Sequence, residues 1–227
     1  MRINKYVAAA TGLSRRAADK AIAENRVKIN NSPSDLGSKI SENDIVTLDD
    51  EVIKLPEDTT TILFHKPVGY VCSRRGQGSE TIYSILPSRY RKLKPIGRLD
   101  KDSSGLLLMS DDGDLAYTLT HPKYQKDKIY EVSLNKPLKQ DHAQLITEKG
   151  VPLEDGPSTF SMTPLNNEAL GWRITMREGR NRQIRRTFEA LGYKIMTLHR
   201  THFGDYEIGD LKKGDYKVVQ NLTKSST

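Results

Sequence analysis

The chain has 227 residues, 36% hydrophobic and 29% charged, with a formal net charge of +7 and a pI near 9.3. No apolar run approaches the ~20 residues a membrane-spanning helix needs, and the single cysteine excludes an internal disulfide. The first residues, MRINKYVAAATG, lack the apolar stretch of a secretory signal, so a reducing cytoplasm and no membrane contact are expected.

Charge is segregated along the chain. Residues 1–30 carry seven Lys/Arg against two acids, residues 31–55 two against six, and residues 66–98 eight against one. Basic faces separated in this way point to a polyanionic partner. In chain order, Ile3, Tyr6, Val7 and Ala10 recur at helical spacing, and Gly12 can close that helix. Ser14 can cap a second helix, RRAADKAIAENR, with Ala18, Ala21 and Ile22 turned inward. RVKIN alternates as a strand, NSPSDLGS is turn chemistry, and DIVTLDDEVI can return as strands. LPEDTT (Leu55–Thr60) reads as a linker between domains at 1–58 and 61–222. The second domain opens with TILFHKPVGYVCS, a β-rich run broken at Pro–Gly, in which Cys72 reads as a small buried residue. GLLLMS, KIYEVSL, WRITM and YKIMTLHR read as strands, with Trp172, Ile174 and Met176 on one face. NRQIRRTFEALG reads as a helix capped by Asn181, facing inward through Ile184, Phe188 and Leu191 and ending at Gly192. The irregular order of helices and strands is that of an α+β protein. The last residues, NLTKSST, are expected to fray.

Basic residues stand where helix ends disfavour them. Arg15, Arg16 and Lys20 fall in the first turns of the second helix, where a phosphate would turn an electrostatic penalty into a gain. The stretch RINKYVAAATGLSRRAADKAIAENRVKINN resembles an S4-type RNA-binding domain over about residues 2–55. In EGRNRQIRR, Arg180, Arg182, Arg185 and Arg186 crowd the start of another helix. They repel one another unless phosphate or protein carboxylates intervene.

GRLDKDSSGLLLMSDDGD (Gly97–Asp114) holds five aspartates. Asp100, Asp102, Ser104, Gly105 and Asp111 match part of a calcium-loop pattern, but Pro95 and Gly97 stand where the entering helix should be, and the triple leucine reads as a buried strand. His199 and His202, the one close histidine pair, lack the further ligands of a zinc site. No metal is therefore expected. Asp102, Asp111, Asp112 and Asp114 fit turn and cap roles. Asp100, between Leu99 and a turn into the strand, is the candidate catalytic carboxylate, in need of a cation to keep it ionised.

GRLDKDSSGLLLMSDDGDLA, KIYEV, EGRNRQIRRTFEALG…LHR and HKPVGYVCS (with His65 where the family motif has Asn) resemble the RsuA/RluB/RluE/RluF family of ribosomal RNA pseudouridine synthases. The S4-like domain completes the same arrangement. The resemblance implies an α+β fold: a small S4-like domain, then a mixed antiparallel sheet with flanking helices in two fused subdomains. It implies conversion of uridine to pseudouridine by an aspartate nucleophile acting on a flipped base, with no cofactor. It implies Asp100 as the essential carboxylate, Tyr130 stacking on the base, Arg185 pairing with Asp100, Leu198 packing on the base, and Arg98 filling the gap that the base leaves. Arg180, Asn181 and Arg182, with Arg15, Arg16 and Lys20, are the expected RNA contacts. The expected partner is ribosomal RNA or a pre-ribosomal particle, met by a monomer. EGRNRQIRR and GVPLEDGP favour large-subunit RNA, while MSDDGDLAYTLTHPKY and LHR are also close to the small-subunit member. A non-catalytic RNA-binding or ribosome-assembly protein is the alternative of another class.

Overall fold

The computed structural model describes residues 1–219; the C-terminal NLTKSST lies outside them. The chain divides into two compact units. Of the described residues, one holds Met1–Thr60 with Asp111–Gly113, the other Thr61–Ser110 and residues 114–219. Among the described residues no helix is long and apolar enough to cross a membrane.

The first unit begins with α1 (Ile3–Thr11) and α2 (Arg15–Ala23). Ile3, Val7 and Ala8 of α1 and Ala18, Ala21 and Ile22 of α2 are buried together, as helical spacing requires. Gly12 ends α1 in the left-handed region at φ 76°, its N–H reaching the Ala8 carbonyl. The Ser14 hydroxyl accepts the Ala17 N–H and caps α2. α2 stops three residues short of the predicted Arg26, because Asn25 turns left-handed at φ 57° and directs the chain into a strand. β1 (Val27–Ile29), β2 (Ser32–Pro33), β3 (Val46–Leu48) and β4 (Glu51–Val52) form an antiparallel sheet in the order β2-β1-β3-β4. Its two tight hairpins turn on Asn30–Asn31 and Asp49–Asp50, all at positive φ. Asn and Asp tolerate that region because short polar side chains can bond the local backbone.

The second unit adds β5 (Thr61–Lys66), α3 (Ile82–Ile85), β6 (Lys94–Ile96), β7 (Ser104–Ser110), α4 (Gly113–Thr120) and β8 (Lys128–Leu134). It continues with α5 (Gln140–Gln144), β9 (Ser161–Pro164), β10 (Gly171–Met176), α6 (Gln183–Ala190), β11 (Ile195–Phe203), β12 (Tyr206–Glu207) and β13 (Tyr216–Val219). One nine-stranded sheet runs β13-β5-β7-β11-β8-β10-β9, with β6 beside β7 and β12 beside β11. β7 and β11 pair in parallel and the other neighbours are antiparallel, so the sheet is mixed, as expected.

The triple leucine has a simple cause. β7 is covered on both faces: Leu107 and Met109 join the large core with Phe64 and Phe188, while Leu106 and Leu108 join a smaller one with Ile96, Leu119 and Phe203. A strand buried on both faces needs a continuous apolar run. The helix α4 that follows was not predicted. It opens on Gly113, with Asp114 in its first turn, and buries only Leu119, so its apolar signal is weak.

Candidate active site

Asp100 lies in the turn entering β7. The end of β5 and the segment after it brace that turn. The fully buried Lys66 ammonium donates to the carbonyls of Pro67 (3.0 Å), Asp100 (3.0 Å) and Ser103 (2.8 Å). The Gly69 N–H donates to the Lys101 carbonyl at 2.7 Å, and the Cys72 thiol donates to the Leu99 carbonyl at 3.3 Å. Burial pushes the Lys66 ammonium below its usual range, against the charges of Cys72, Asp100 and Asp102; burial also pushes the Cys72 thiol up. HKPVGYVC is thus the scaffold of the acidic turn. Sequence reasoning missed this role of Lys66 and Gly69. A lysine followed by Pro and Gly reads locally as an exposed turn, and the acceptors that fix the acidic turn, the carbonyls of Asp100 and Ser103, lie more than thirty residues away.

The four arginines of EGRNRQIRR sort into two pairs, each sharing one aspartate. Arg182 and Arg185 hold Asp102. Arg182 reaches both carboxylate oxygens at 3.0 Å, while Arg185 Nη2 donates to the Asp102 carbonyl at 2.8 Å. Arg185 Nε lies 3.2 Å from Asp102 Oδ2, not aligned for a hydrogen bond. Burial alone would raise the Asp102 carboxyl, but the Arg182 hydrogen bonds and the Arg185 charge hold it below the usual range. Arg180 and Arg186 hold Asp155. Arg186 forks onto its carboxylate at 2.7 and 3.1 Å, and Arg180 binds its side chain and the carbonyls of Asp155, Gly156 and Pro157.

Three expectations need correction here. Arg185 does not contact the Asp100 carboxylate; Arg182 does, at 3.6 Å, and Arg185 instead anchors Asp102 and, more weakly, the Ser103 hydroxyl. Arg185 sits lower, with 12% of its side chain exposed against 44% for Arg182, and reaches the backbone beneath the acid. Asp102 is not a simple turn residue but the acceptor shared by two arginines. Asn181 does not cap α6. Arg182 occupies that position at φ 47°, with no capping side chain, and the Gln183 side chain folds back to accept the Arg180 N–H. Asn181 contributes its carbonyl to Arg186 Nε. Asp111 accepts the Thr60 N–H at 2.6 Å, a bond between distant chain segments rather than within one turn.

Above the acidic turn opens a cavity of about 560 Å³ that collects most of the expected residues of this unit. Asp100 and Arg98 line it from the turn, Tyr130 from β8, Leu198 from β11, and residues 180–185 from the approach to α6. Tyr130 and Leu198 are buried in the strands that form its floor, while Arg98 is exposed and makes no hydrogen bond or ion pair among the described residues. A carboxylate, a buried aromatic ring, an apolar wall and a free guanidinium around one cavity can accept, sandwich and discriminate a flat heterocycle. Among the described residues no three His, Cys, Asp or Glu side chains are placed to hold a metal ion together. In the other unit Arg15, Arg16 and Lys20 are exposed on α2. Arg15 donates to Asn4 at 3.3 Å and Lys20 lies 3.6 Å from Glu24, while Arg16 makes no such bond among the described residues.

Comparison with known proteins agrees with this architecture. A family model described as RNA pseudouridylate synthase matches residues 60–190, and one described as S4 domain matches residues 1–46. The chain belongs to the RNA pseudouridylate synthase family. It is 35% identical to the ribosomal small subunit pseudouridine synthase A of Haemophilus influenzae, over 96% of each chain. It is 33% identical to the ribosomal large subunit pseudouridine synthase B of Bacillus subtilis, over 96% of this chain and 91% of that one. A crystal structure described as a pseudouridylate synthase superposes with a TM-score of 0.70 at 33% identity, covering 97% of this chain and 96% of that one.

Proposed function

We propose that this protein isomerises a uridine of ribosomal RNA to pseudouridine in the cytoplasm, acting as a monomer on the RNA or on a pre-ribosomal particle. The observation that carries the reading is Asp100 in a cavity walled by Tyr130 and Leu198, its turn fixed by Lys66 and its charge faced by Arg182. The domain at residues 1–58 supplies affinity through Arg15, Arg16 and Lys20, and the domain at 61–222 supplies the chemistry.

The target base leaves its stack at a cost of a few kcal/mol, and the flat Arg98 guanidinium takes its place. Breaking the glycosidic bond builds positive charge on the sugar, which the ionised Asp100 traps as a nucleophile. Tyr130 stacks on the detached ring while it turns, and Leu198 packs on its other side. Arg182 faces the charge of Asp100. Arg185 holds the Asp102–Ser103 backbone and so positions the acid. Arg180 and Asn181 shape the cavity rim. The substrate and product are isomers, so the reaction closes without a cofactor.

Large-subunit RNA is the favoured target. The two stretches that resemble large-subunit enzymes, EGRNRQIRR and GVPLEDGP, meet directly, through Arg180 and Arg186 on Asp155. The small-subunit reading is favoured by the Haemophilus influenzae relative, alike over 96% of each chain. Mapping pseudouridine in both ribosomal RNAs, from cells with and without the gene, tests both. One large-subunit pseudouridine should vanish with the gene. Loss of a small-subunit site would select the second reading, and loss of none would favour a non-catalytic assembly protein.

A further inference from the structure

Arg200 of β11 is almost completely buried, at 1% exposure, yet no carboxylate lies within ion-pair distance among the described residues. Its one hydrogen bond runs from Nε to the Leu106 carbonyl at 2.8 Å, and its guanidinium lies 4.9 Å from the centre of the Phe203 ring. Nη2 is buried and without a partner. A buried cation normally has a counter-charge, because desolvating it alone costs far more than one neutral hydrogen bond returns. Here the neighbouring charges make matters worse. Burial and then Arg200 push the Lys128 ammonium down, and the Arg200 charge also acts on Lys66. Arg200 and Lys128 line the same cavity as Asp100.

The chain is built to put Arg200 there. It pairs with Tyr130 across β8 and with Gly105 across β7. Gly105 has φ 114°, and a Cβ at that position would overlap the Arg200 backbone. The close approach of the two strands at Gly105 sets where Arg200 stands in the cavity wall.

We propose that Arg200 is a catalytic residue whose free Nη2 donates to a carbonyl oxygen of the uracil ring and stabilises the negative charge that the ring carries once detached. The proposal rests on the pseudouridine reading. In that reaction the C1′–N1 bond breaks with its electron pair left on the ring, while C1′ takes an oxygen of Asp100. The charge on the ring spreads over N1 and the two carbonyl oxygens. After rotation C5 bonds to C1′, the carboxylate leaves with its pair, and the proton lost from C5 is balanced by one gained at N1. A fixed donor in a dry pocket acts most strongly where charge develops. A backbone phosphate is the weaker candidate, because the exposed Arg98 offers a guanidinium at the open side while Arg200 stands in the buried part of the cavity wall.

The test compares single-turnover rates of C1′–N1 bond cleavage, read as loss of the target nucleoside because a C5–F ring cannot shed the C5 proton, on RNA carrying uridine or 5-fluorouridine at the target, for wild type, Arg200→Gln and Arg200→Lys. Fluorine withdraws electrons, so the detached 5-fluorouracil needs less help. Arg200→Gln should slow the uridine reaction about 100-fold with little change in KM. Its deficit on 5-fluorouridine should be several-fold smaller, with Arg200→Lys between wild type and Gln on both substrates. Should Arg200→Gln fail to fold, Arg200→Lys carries the same comparison. Equal deficits on both substrates would mean a structural role and overturn the proposal. A loss expressed as weaker binding with a flatter salt dependence would mean a phosphate contact and overturn it too. Wild type inactive on uridine would overturn the pseudouridine reading and this inference with it, whereas active wild type with equal deficits overturns the inference alone.

Discussion

At the scale of residues, Asp102 is the position whose role the structure changes most. Two arginines converge on its carboxylate and a third interaction fixes its carbonyl. Asp102→Asn should lower stability by about 1–2 kcal/mol, less than a fully buried pair would cost because half the side chain meets water. The sign of the pH effect follows from its depressed carboxyl. Asp102 contributes stability above the ordinary carboxylate range and loses it as pH falls through its lowered folded value. Urea unfolding across pH 3–7 checks this. Wild type should lose stability on acidification more steeply than the variant, and parallel curves would mean that the arginine pair does nothing for Asp102. The pairing itself was not legible in the sequence. The crowding of Arg180, Arg182, Arg185 and Arg186 called for phosphate or carboxylate partners, but the carboxylate each meets depends on loops more than twenty residues away. The left-handed Arg182 also left no signal, since a non-glycine residue at positive φ carries no compositional mark.

Elements were read with success where burial imposes a period. α1, α2 and α6 announce their inward faces at Ile3 and Val7, at Ala18, Ala21 and Ile22, and at Ile184 and Phe188, and the structure buries those residues. β7 announced itself by its unbroken leucines and β10 by alternation of Trp172, Ile174 and Met176. α4 stayed hidden because a half-exposed helix with one buried leucine carries little periodicity. β7 and β11 approach each other most tightly at Gly105. Gly105→Ala should cost about 3 kcal/mol or more, because the left-handed backbone and the overlap with the Arg200 chain add. Thermal unfolding checks this. A melting temperature within a degree or two of wild type would show that the strands can separate freely at that point.

At the scale of the whole molecule, basic charge is carried by both units, and the second holds the cavity that Asp100 lines. The two tasks should therefore separate by mutation. Replacing Arg15 and Arg16 by Ala should weaken RNA binding and flatten its salt dependence by about one unit of log–log slope for each phosphate no longer neutralised. Turnover at saturating RNA should stay near wild type. Filter binding over a salt series, with single-turnover rates alongside, separates the outcomes. An unchanged slope would exclude these arginines from phosphate binding, and a collapse of saturated turnover would show that the first unit takes part in the chemistry.

The central claim is that one carboxylate of the five between Gly97 and Asp114 carries the chemistry. Asp100→Asn preserves size and the Lys66 bond to its backbone carbonyl while removing the charge that glycosidic cleavage needs. The most direct measurement is pseudouridine formed in a ribosomal RNA substrate by the folded variant, alongside its RNA affinity. The account predicts affinity close to wild type and no detectable pseudouridine. Appreciable pseudouridine formation by Asp100→Asn would contradict it.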